Sequence, residues 1–189
     1  MENYKILPKL ARLSILEEFE GKKLIDRDEW VRKYPWLEEK RATFVTLKMK
    51  NKPRGSNLRG CIGSILPYRP LIDDVVANAK AAAFEDPRFP PLSPEEFNNV
   101  EIEVSVLTIP EKVEYEDIDD LRRKIRPMVD GVILQLANHQ ATFLPSVWEE
   151  LPSFEIFFAH LCMKAGLPGD CLRYHPTIYR YQAIEVKED

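Results

Sequence analysis

The chain lacks any long apolar segment. None of its apolar runs approaches the roughly 18 residues that a membrane-spanning helix needs. Its N-terminus, MENYKILPKLARL, lacks the cationic stretch and apolar core of a secretory signal. Positive charge is also in short supply, because 27 Lys and Arg face 31 Asp and Glu, which gives a net charge of −4 over 189 residues. These absences argue against a membrane protein, a secreted protein and a nucleic-acid coat, and they predict a cytoplasmic location.

Cysteine is scarce, with Cys61, Cys162 and Cys171 as the complete set and no Cys-x-x-Cys pair. An odd number of cysteines in a chain without an export signal does not predict a disulfide framework. The three histidines lack zinc-finger spacing, so we expect no metal site, and no motif predicts a cofactor. Helical spacing predicts that Cys162 lies in the core, whereas Cys171 follows Gly169 and Asp170 and is expected to be an exposed free thiol.

The order of elements favours an α+β fold. Helical spacing predicts helices over 7–20, 28–34, 71–84, 119–125 and 153–165, with a short one beginning at Ser93. Strand composition and alternation predict strands over 42–49, 58–66, 100–106, 131–136, 140–144 and 177–186. Strands that are neighbours in sequence, with helices between pairs, indicate a largely antiparallel sheet flanked by helices. The stretches 42–108 and 130–186 each run strands–helix–strand, which suggests two lobes and an internal duplication. No low-complexity linker separates them, so we predict one domain over 1–189.

The segment LRGCIGS, residues 58–64, is the part of the chain that most needs a special explanation. In an extended segment, Arg59, Cys61 and Gly63 would share one face, and the cation would lower the pKa of the thiol from its usual value of about 8.5. Gly60 and Gly63 would allow the close approach of a backbone or a ligand. The alternative is a buried structural cysteine in a strand thinned for packing. The residues alone leave both interpretations open.

Known catalytic patterns do not match this segment. A phosphate-binding loop needs Gly-Lys-Ser/Thr after its glycines, and Ser64 is followed here by two apolar residues. Cysteine-dependent phosphatases carry Cys-x5-Arg, whereas the next arginine after Cys61 is Arg69, eight positions on. A phosphatase mechanism is therefore excluded.

Four more charged residues are candidates for the wall of a site around Cys61. Asp86 and Arg88 lie in the proline-stiffened EDPRFPPL loop, where an ion pair within the loop is the alternative explanation. Glu101 and Glu103 lie two apart on the outward face of a predicted strand, where paired carboxylates could act as acid and base or bind a cation. A solvated strand face is the alternative for these two.

LRGCIGS is similar to the hallmark segment of the AMMECR family. The resemblance continues in the family's order through PLIDDVVANAKAAAFEDPRFPPLSPEE, IEVSVL, GVILQL, TFLPSVWEELP and HLCMKAGLP, and so is strongest over 42–170. It implies a two-lobed α+β domain with duplicated strand–helix–strand units in one sheet. It also implies an association with a radical-SAM enzyme and a Memo-like protein, and hence a role in modifying a nucleobase, an RNA or a small molecule.

Two hypotheses from different classes follow. In the first, Cys61 is a catalytic nucleophile or covalent carrier, and its substrate is bound by surrounding residues: Arg59, Gly60, Gly63, Asp86, Arg88, Glu101 and Glu103. In the second, the LRGCIGS surface binds a protein partner as a non-catalytic adaptor, and Cys61 is there for its size. The sequence leaves open whether the chain is an enzyme.

Overall fold

The computed structural model of the chain describes residues 2–189, with side chains from Tyr4 onward. The helices are α1 Leu7–Glu20, α2 Arg27–Lys33, α3 Leu71–Phe84, α4 Pro94–Phe97, α5 Ile118–Lys124 and α6 Phe154–Lys164. The strands are β1 Thr43–Met49, β2 Leu58–Gly63, β3 Val100–Leu107, β4 Glu111–Val113, β5 Gly131–Leu136, β6 His139–Phe143, β7 Thr177–Tyr181 and β8 Ala183–Lys187. No helix in this described part of the chain is long and apolar enough to cross a membrane.

The chain forms two compact units, and the first comprises the residues up to Leu107 together with Ile184–Asp189. Its four-stranded sheet has the order β2-β1-β3-β8, and β1 pairs antiparallel with both β2 and β3. Alternation places one set of side chains in a core shared with α1 and α3, as the sequence predicts: Val45, Leu47, Met49, Val100, Ile102, Val104 and Val106.

The second unit comprises Thr108–Ala183. Its sheet has the order β4-β7-β5-β6, with all three pairings antiparallel. The predicted hairpin of β5 and β6 is present, and Ala137 in its turn adopts a positive φ of 53°. A separate aromatic core includes Trp148, which stacks on Phe157 and donates its indole N–H to the carbonyl of Asp130.

The two units share a topology of three strands and a helix. In each, a hairpin (β1–β2 or β5–β6) is followed by a helix (α3 or α6) and then by a strand (β3 or β7) that pairs antiparallel with the first strand of the hairpin. The α+β, two-lobed prediction with repeated strand–helix–strand units is therefore confirmed, but the expectation of one sheet is wrong, because each unit has its own. The predicted strand over 177–186 is in fact two, because the chain passes from β7 in one sheet to β8 in the other at Gln182.

A buried polar cluster joins the start of β1 to the end of β2 in the first unit. The carboxylate of Asp74, on α3, accepts hydrogen bonds from the backbone N–H of Thr43 at 2.7 Å and from the Ser64 hydroxyl at 2.8 Å. Asn78 and Arg69 donate to the same carboxylate, at 3.0 and 2.6 Å. Because a buried carboxylate is tolerated only when it is well hydrogen-bonded, this cluster fixes where β2 ends and α3 begins.

Candidate functional site

The loop after α3 lies along the outer edge of β2. The backbone N–H of Cys61 donates to Asp86 Oδ2 at 3.0 Å, and Nη2 of Arg88 donates to the carbonyl of Cys61 at 3.4 Å. Further along, Nη2 of Arg59 donates to the carbonyl of Pro90 at 2.7 Å. An edge strand normally presents unpaired backbone groups, and here side chains of the loop occupy those of Cys61. The EDPRFPPL loop is therefore bound to the hallmark segment.

Asp86 and Arg88 form an ion pair within the EDPRFPPL loop. Such a pair is the alternative to a substrate-binding role that the sequence leaves open. Asp86 is buried, and it accepts hydrogen bonds from the backbone N–H, Nε and Nη2 of Arg88 at 3.0, 3.0 and 2.7 Å. The guanidinium of Arg88, with help from the N–H of Cys61 and against the opposing effect of burial, lowers the pKa of Asp86 to about 2. Asp86 in turn raises the pKa of Arg88, and a thiolate at Cys61 would add to that rise. Arg88 is thus a fixed cation beside Cys61.

Arg59 forms an ion pair with Glu96. Its Nε and Nη2 donate to the two carboxylate oxygens of Glu96 at 2.6 and 3.1 Å, and its side chain is only 6% exposed. Glu96 belongs to a capping box with Ser93 at the start of α4, and its pKa is lowered chiefly by Arg59. Arg59 is thus engaged by Glu96, and the cation that contacts the backbone of Cys61 is Arg88.

Cys61 lies on the sheet face opposite the helices. Its Sγ is 3.2 Å from Oγ1 of Thr46, its direct partner on β1, and it forms no disulfide. Thr46 is in turn the direct partner of Glu103 on β3, so these three side chains form one row across three strands. Sequence reasoning missed Thr46, because only strand register shows which residue lies opposite a cysteine.

Glu103 is buried rather than solvated, which corrects the view of this face as simply outward. Oε2 of Glu103 accepts a hydrogen bond from Nζ of Lys48 at 3.0 Å, and Nζ of Lys187 lies 3.7 Å from the same oxygen. Ser105 on the same face is also buried. Glu101 is half-buried and lies opposite Lys48, whereas Glu103 is buried and lies opposite Thr46. The two carboxylates therefore have different surroundings and do not act as a matched pair.

The two glycines of the segment have packing roles. A Cβ on Gly60 would lie 2.1 Å from the carbonyl oxygen of Ala82, so this glycine lets α3 approach the backbone of β2. A Cβ on Gly63 would overlap the ring of Phe44, which covers that glycine from the neighbouring strand. The close approaches predicted for both glycines are made by the protein itself.

The prediction that Cys162 lies in the core is confirmed, but the expectations of no disulfide and of an exposed thiol at Cys171 are wrong. Cys162 and Cys171 form a disulfide with their Cα atoms 5.8 Å apart, and both are fully buried in the core of the second unit. Cys171 is therefore not an exposed thiol. Across the described residues, no three His, Cys, Asp or Glu side chains come together as a metal site would require.

The comparisons with known proteins identify the family. A sequence profile described as AMMECR1 matches residues 8–186, well beyond the stretch where the resemblance is strongest. A protein from Methanothermobacter thermautotrophicus is 42% identical over 98% of this chain and 94% of its own length, and one from Thermococcus onnurineus is 40% identical over 98% and 90%. The crystal structure of an uncharacterized protein from Pyrococcus horikoshii matches with a TM-score of 0.90 at 38% identity, over 100% of this chain and 92% of that one. The chain belongs to the AMMECR1 family.

Proposed function

We propose that the chain takes part in a modification reaction on a nucleobase, an RNA or another small molecule, with Cys61 as the nucleophilic thiol. The observation that carries this proposal is the position of Arg88, which Asp86 holds against the backbone of Cys61. A fixed cation favours the thiolate, which is the reactive form of a cysteine.

Two further contacts support a reactive thiol. Thr46 Oγ1, at 3.2 Å from Sγ, can donate its hydroxyl hydrogen to a thiolate and so stabilise the negative charge. Strand β2 is held on both edges, by pairing with β1 on one side and by the bonds of the Cys61 backbone to the EDPRFPPL loop on the other. A nucleophile needs such a rigid setting, because a misplacement of about 1 Å can cost a hundredfold in rate.

The first test is the pH dependence of iodoacetamide alkylation at each cysteine, followed by peptide mass spectrometry on the native protein. We expect Cys61 to react with an apparent pKa below about 8.5, and Arg88→Gln to move that pKa back toward the ordinary value. Arg122→Gln, which removes an exposed arginine of the second unit, is the matched control and should leave the profile unchanged. A Cys61 that reacts only after unfolding would refute the proposal.

The same proposal includes the partners that the family resemblance implies, a radical-SAM enzyme and a Memo-like protein, in the cytoplasm. Its test is co-expression of the three proteins, followed by co-purification and analysis of small molecules and RNA for a modified product. Cys61→Ala should abolish the product and leave the fold intact. Full product formation with Cys61→Ala would eliminate the covalent role.

A non-catalytic adaptor is the second candidate function, and exposed apolar side chains favour it. Leu58 at the start of the segment is 39% exposed, and Leu66 and Tyr68, just after it, are each 62% exposed. The packing roles of Gly60 and Gly63 also explain much of the motif without chemistry. In this case Leu66→Ser and Tyr68→Ser would weaken binding to the Memo-like protein, whereas Cys61→Ala would not.

A further inference from the structure

The Phe89 ring lies close to two guanidinium groups next to the hallmark segment. The guanidinium carbon of Arg59 is 5.4 Å from the ring centre, and that of Arg88 is 5.6 Å from it. Both distances are within the range of a cation–π interaction. Phe89 is half-buried and belongs to neither hydrophobic core, so its ring serves these two arginines rather than the packing of the unit.

The two guanidinium groups differ in how their nitrogens are satisfied. Nη1 of Arg59 is buried and is unpaired within the described part of the chain. Arg88 donates from its backbone N–H, Nε and Nη2, and its side chain is 54% exposed, so its guanidinium is open to a group arriving from solvent. A buried donor without an acceptor is unfavourable, and more so when it is charged, so a group that supplied an acceptor to Nη1 of Arg59 would be bound favourably.

We infer that Arg59, Arg88 and Phe89 form a subsite for an oxyanion group, a phosphate or a carboxylate, carried by the substrate. Guanidinium groups suit such oxyanions because they offer several N–H donors in a fixed plane. The inference rests on the proposed function in one respect only, namely that the reacting part of the same substrate lies at Cys61.

The charges already present set the character of this subsite. Asp86 neutralises Arg88 and Glu96 neutralises Arg59, so the cluster as a whole carries no net charge. Such a cluster would select an oxyanion by directed hydrogen bonds more than by long-range attraction. The two carboxylates act as positioning residues, since each holds its guanidinium by two hydrogen bonds to side-chain oxygens.

The test uses the full chain labelled with ¹⁵N and titrated with inorganic phosphate, with acetate, and with chloride at matched ionic strength. We expect saturable shifts of the backbone N–H signals of Cys61, Arg88 and Phe89 with one of the two oxyanions, and which one acts identifies the group. Because the Arg88 side chain is 54% exposed, Arg88→Gln should fold normally. It should weaken binding of the oxyanion about tenfold or more. Arg122→Gln, an arginine that also binds two carboxylates, should bind as the unaltered chain does.

Three outcomes would overturn the inference. Equal shifts with chloride would mean general screening, undiminished binding in Arg88→Gln would mean another location, and no shift would mean that water alone satisfies Nη1 of Arg59. The titration is repeated on Cys61→Ser, since oxyanion binding needs no thiol. Binding by a chain whose Cys61 proves inert would refute the proposed function only, and an activated Cys61 without binding would refute this inference only.

Discussion

At the scale of the residue, the hallmark segment combines packing requirements with one chemically distinctive side chain. The sequence predicts that its glycines permit a close approach, and the structure supplies α3 and Phe44 as the groups that approach. It could not predict that Arg59 pairs with Glu96, which lies 37 positions away, or that Cys61 lies opposite Thr46. Contacts of this kind depend on strand register and loop path, which a single sequence does not encode locally.

Gly60 provides a prediction for stability. Gly60→Ala should lower the free energy of unfolding of the first unit by about 3 kcal/mol, because a methyl group cannot fit beside the carbonyl of Ala82 and α3 must move away. Gly169→Ala is the matched control, since its added Cβ would meet its nearest atom at 3.8 Å, an ordinary contact. Urea unfolding followed by amide hydrogen exchange in peptides of each unit measures the change. Equal stability of both variants would contradict the packing role of Gly60.

Asp86 provides a prediction for pH dependence. Its pKa falls from 3.8 to about 2 on folding, so its charged form stabilises the folded state above about pH 4, and this contribution is lost as the pH falls toward 2. Asp86→Asn should therefore be less stable than the unaltered chain by about 2 kcal/mol at pH 6, and the difference should shrink toward pH 2. Urea unfolding at a series of pH values measures it. Asp189→Asn, at an exposed position, should show no such dependence.

At the scale of the element, the sequence predicts most helices and strands, because periodicity and capping residues are local signals. The helix predicted over 71–84 matches α3 residue for residue. The same helix has a pattern that the sequence prediction does not use. Asp74 and Asn78 occupy core-facing positions beside Leu71 and Val75. Polar residues at such positions indicate a buried hydrogen-bonded cluster. The strand β4 was missed, since three residues are too few to show alternation.

The sequence does not predict the disulfide between Cys162 and Cys171, because an odd cysteine number and an expected cytoplasmic location argue against one. That rule has exceptions among intracellular proteins of hyperthermophiles. Cys162 lies in the last turn of α6, and Cys171 lies nine residues later, after the loop that follows the helix. We expect reduction to lower the stability of the second unit by about 2.5 kcal/mol, the value for a loop of this length. Urea unfolding with and without dithiothreitol measures this.

A thiol titration provides the control for the disulfide. The chain unfolded without reductant should contain one reactive thiol, Cys61, and all three cysteines should react after reduction. A double variant, Cys162→Ala with Cys171→Ala, should unfold identically with and without dithiothreitol. Three thiols in the unreduced chain would show that the bond does not form.

At the scale of the whole molecule, the first unit depends on residues from the two ends of the chain. Glu188 accepts hydrogen bonds from Nη2 of Arg12 at 2.8 Å and from the backbone N–H of Ile102 at 2.9 Å, and so joins the C-terminal segment to α1 and β3. The sequence gives no indication of this arrangement, because the closing strand was predicted as a continuation of β7. The repeated topology, by contrast, was visible as two strands–helix–strand stretches.

This closure can be tested with Glu188→Gln, which removes the charge that Arg12 binds. We expect the free energy of unfolding of the first unit to fall by about 2 kcal/mol, the usual contribution of a hydrogen bond to a charged group. Hydrogen exchange should accelerate in α1 and β3 and stay unchanged in peptides of Thr108–Ala183. Asp189→Asn is the control at the neighbouring position. Faster exchange in the second unit alone would contradict the proposed division.

The return of Ile184–Asp189 to the first sheet also determines an order of events during protein synthesis. A ribosome makes the chain from its N-terminus, so every residue of the second unit emerges before the strand that completes the first. The unit that begins the chain is therefore the last that can be completed, and it must wait with an open sheet edge along β3. Such an edge can pair with other chains, which makes the interval before β8 emerges the period of greatest exposure to aggregation or chaperone binding.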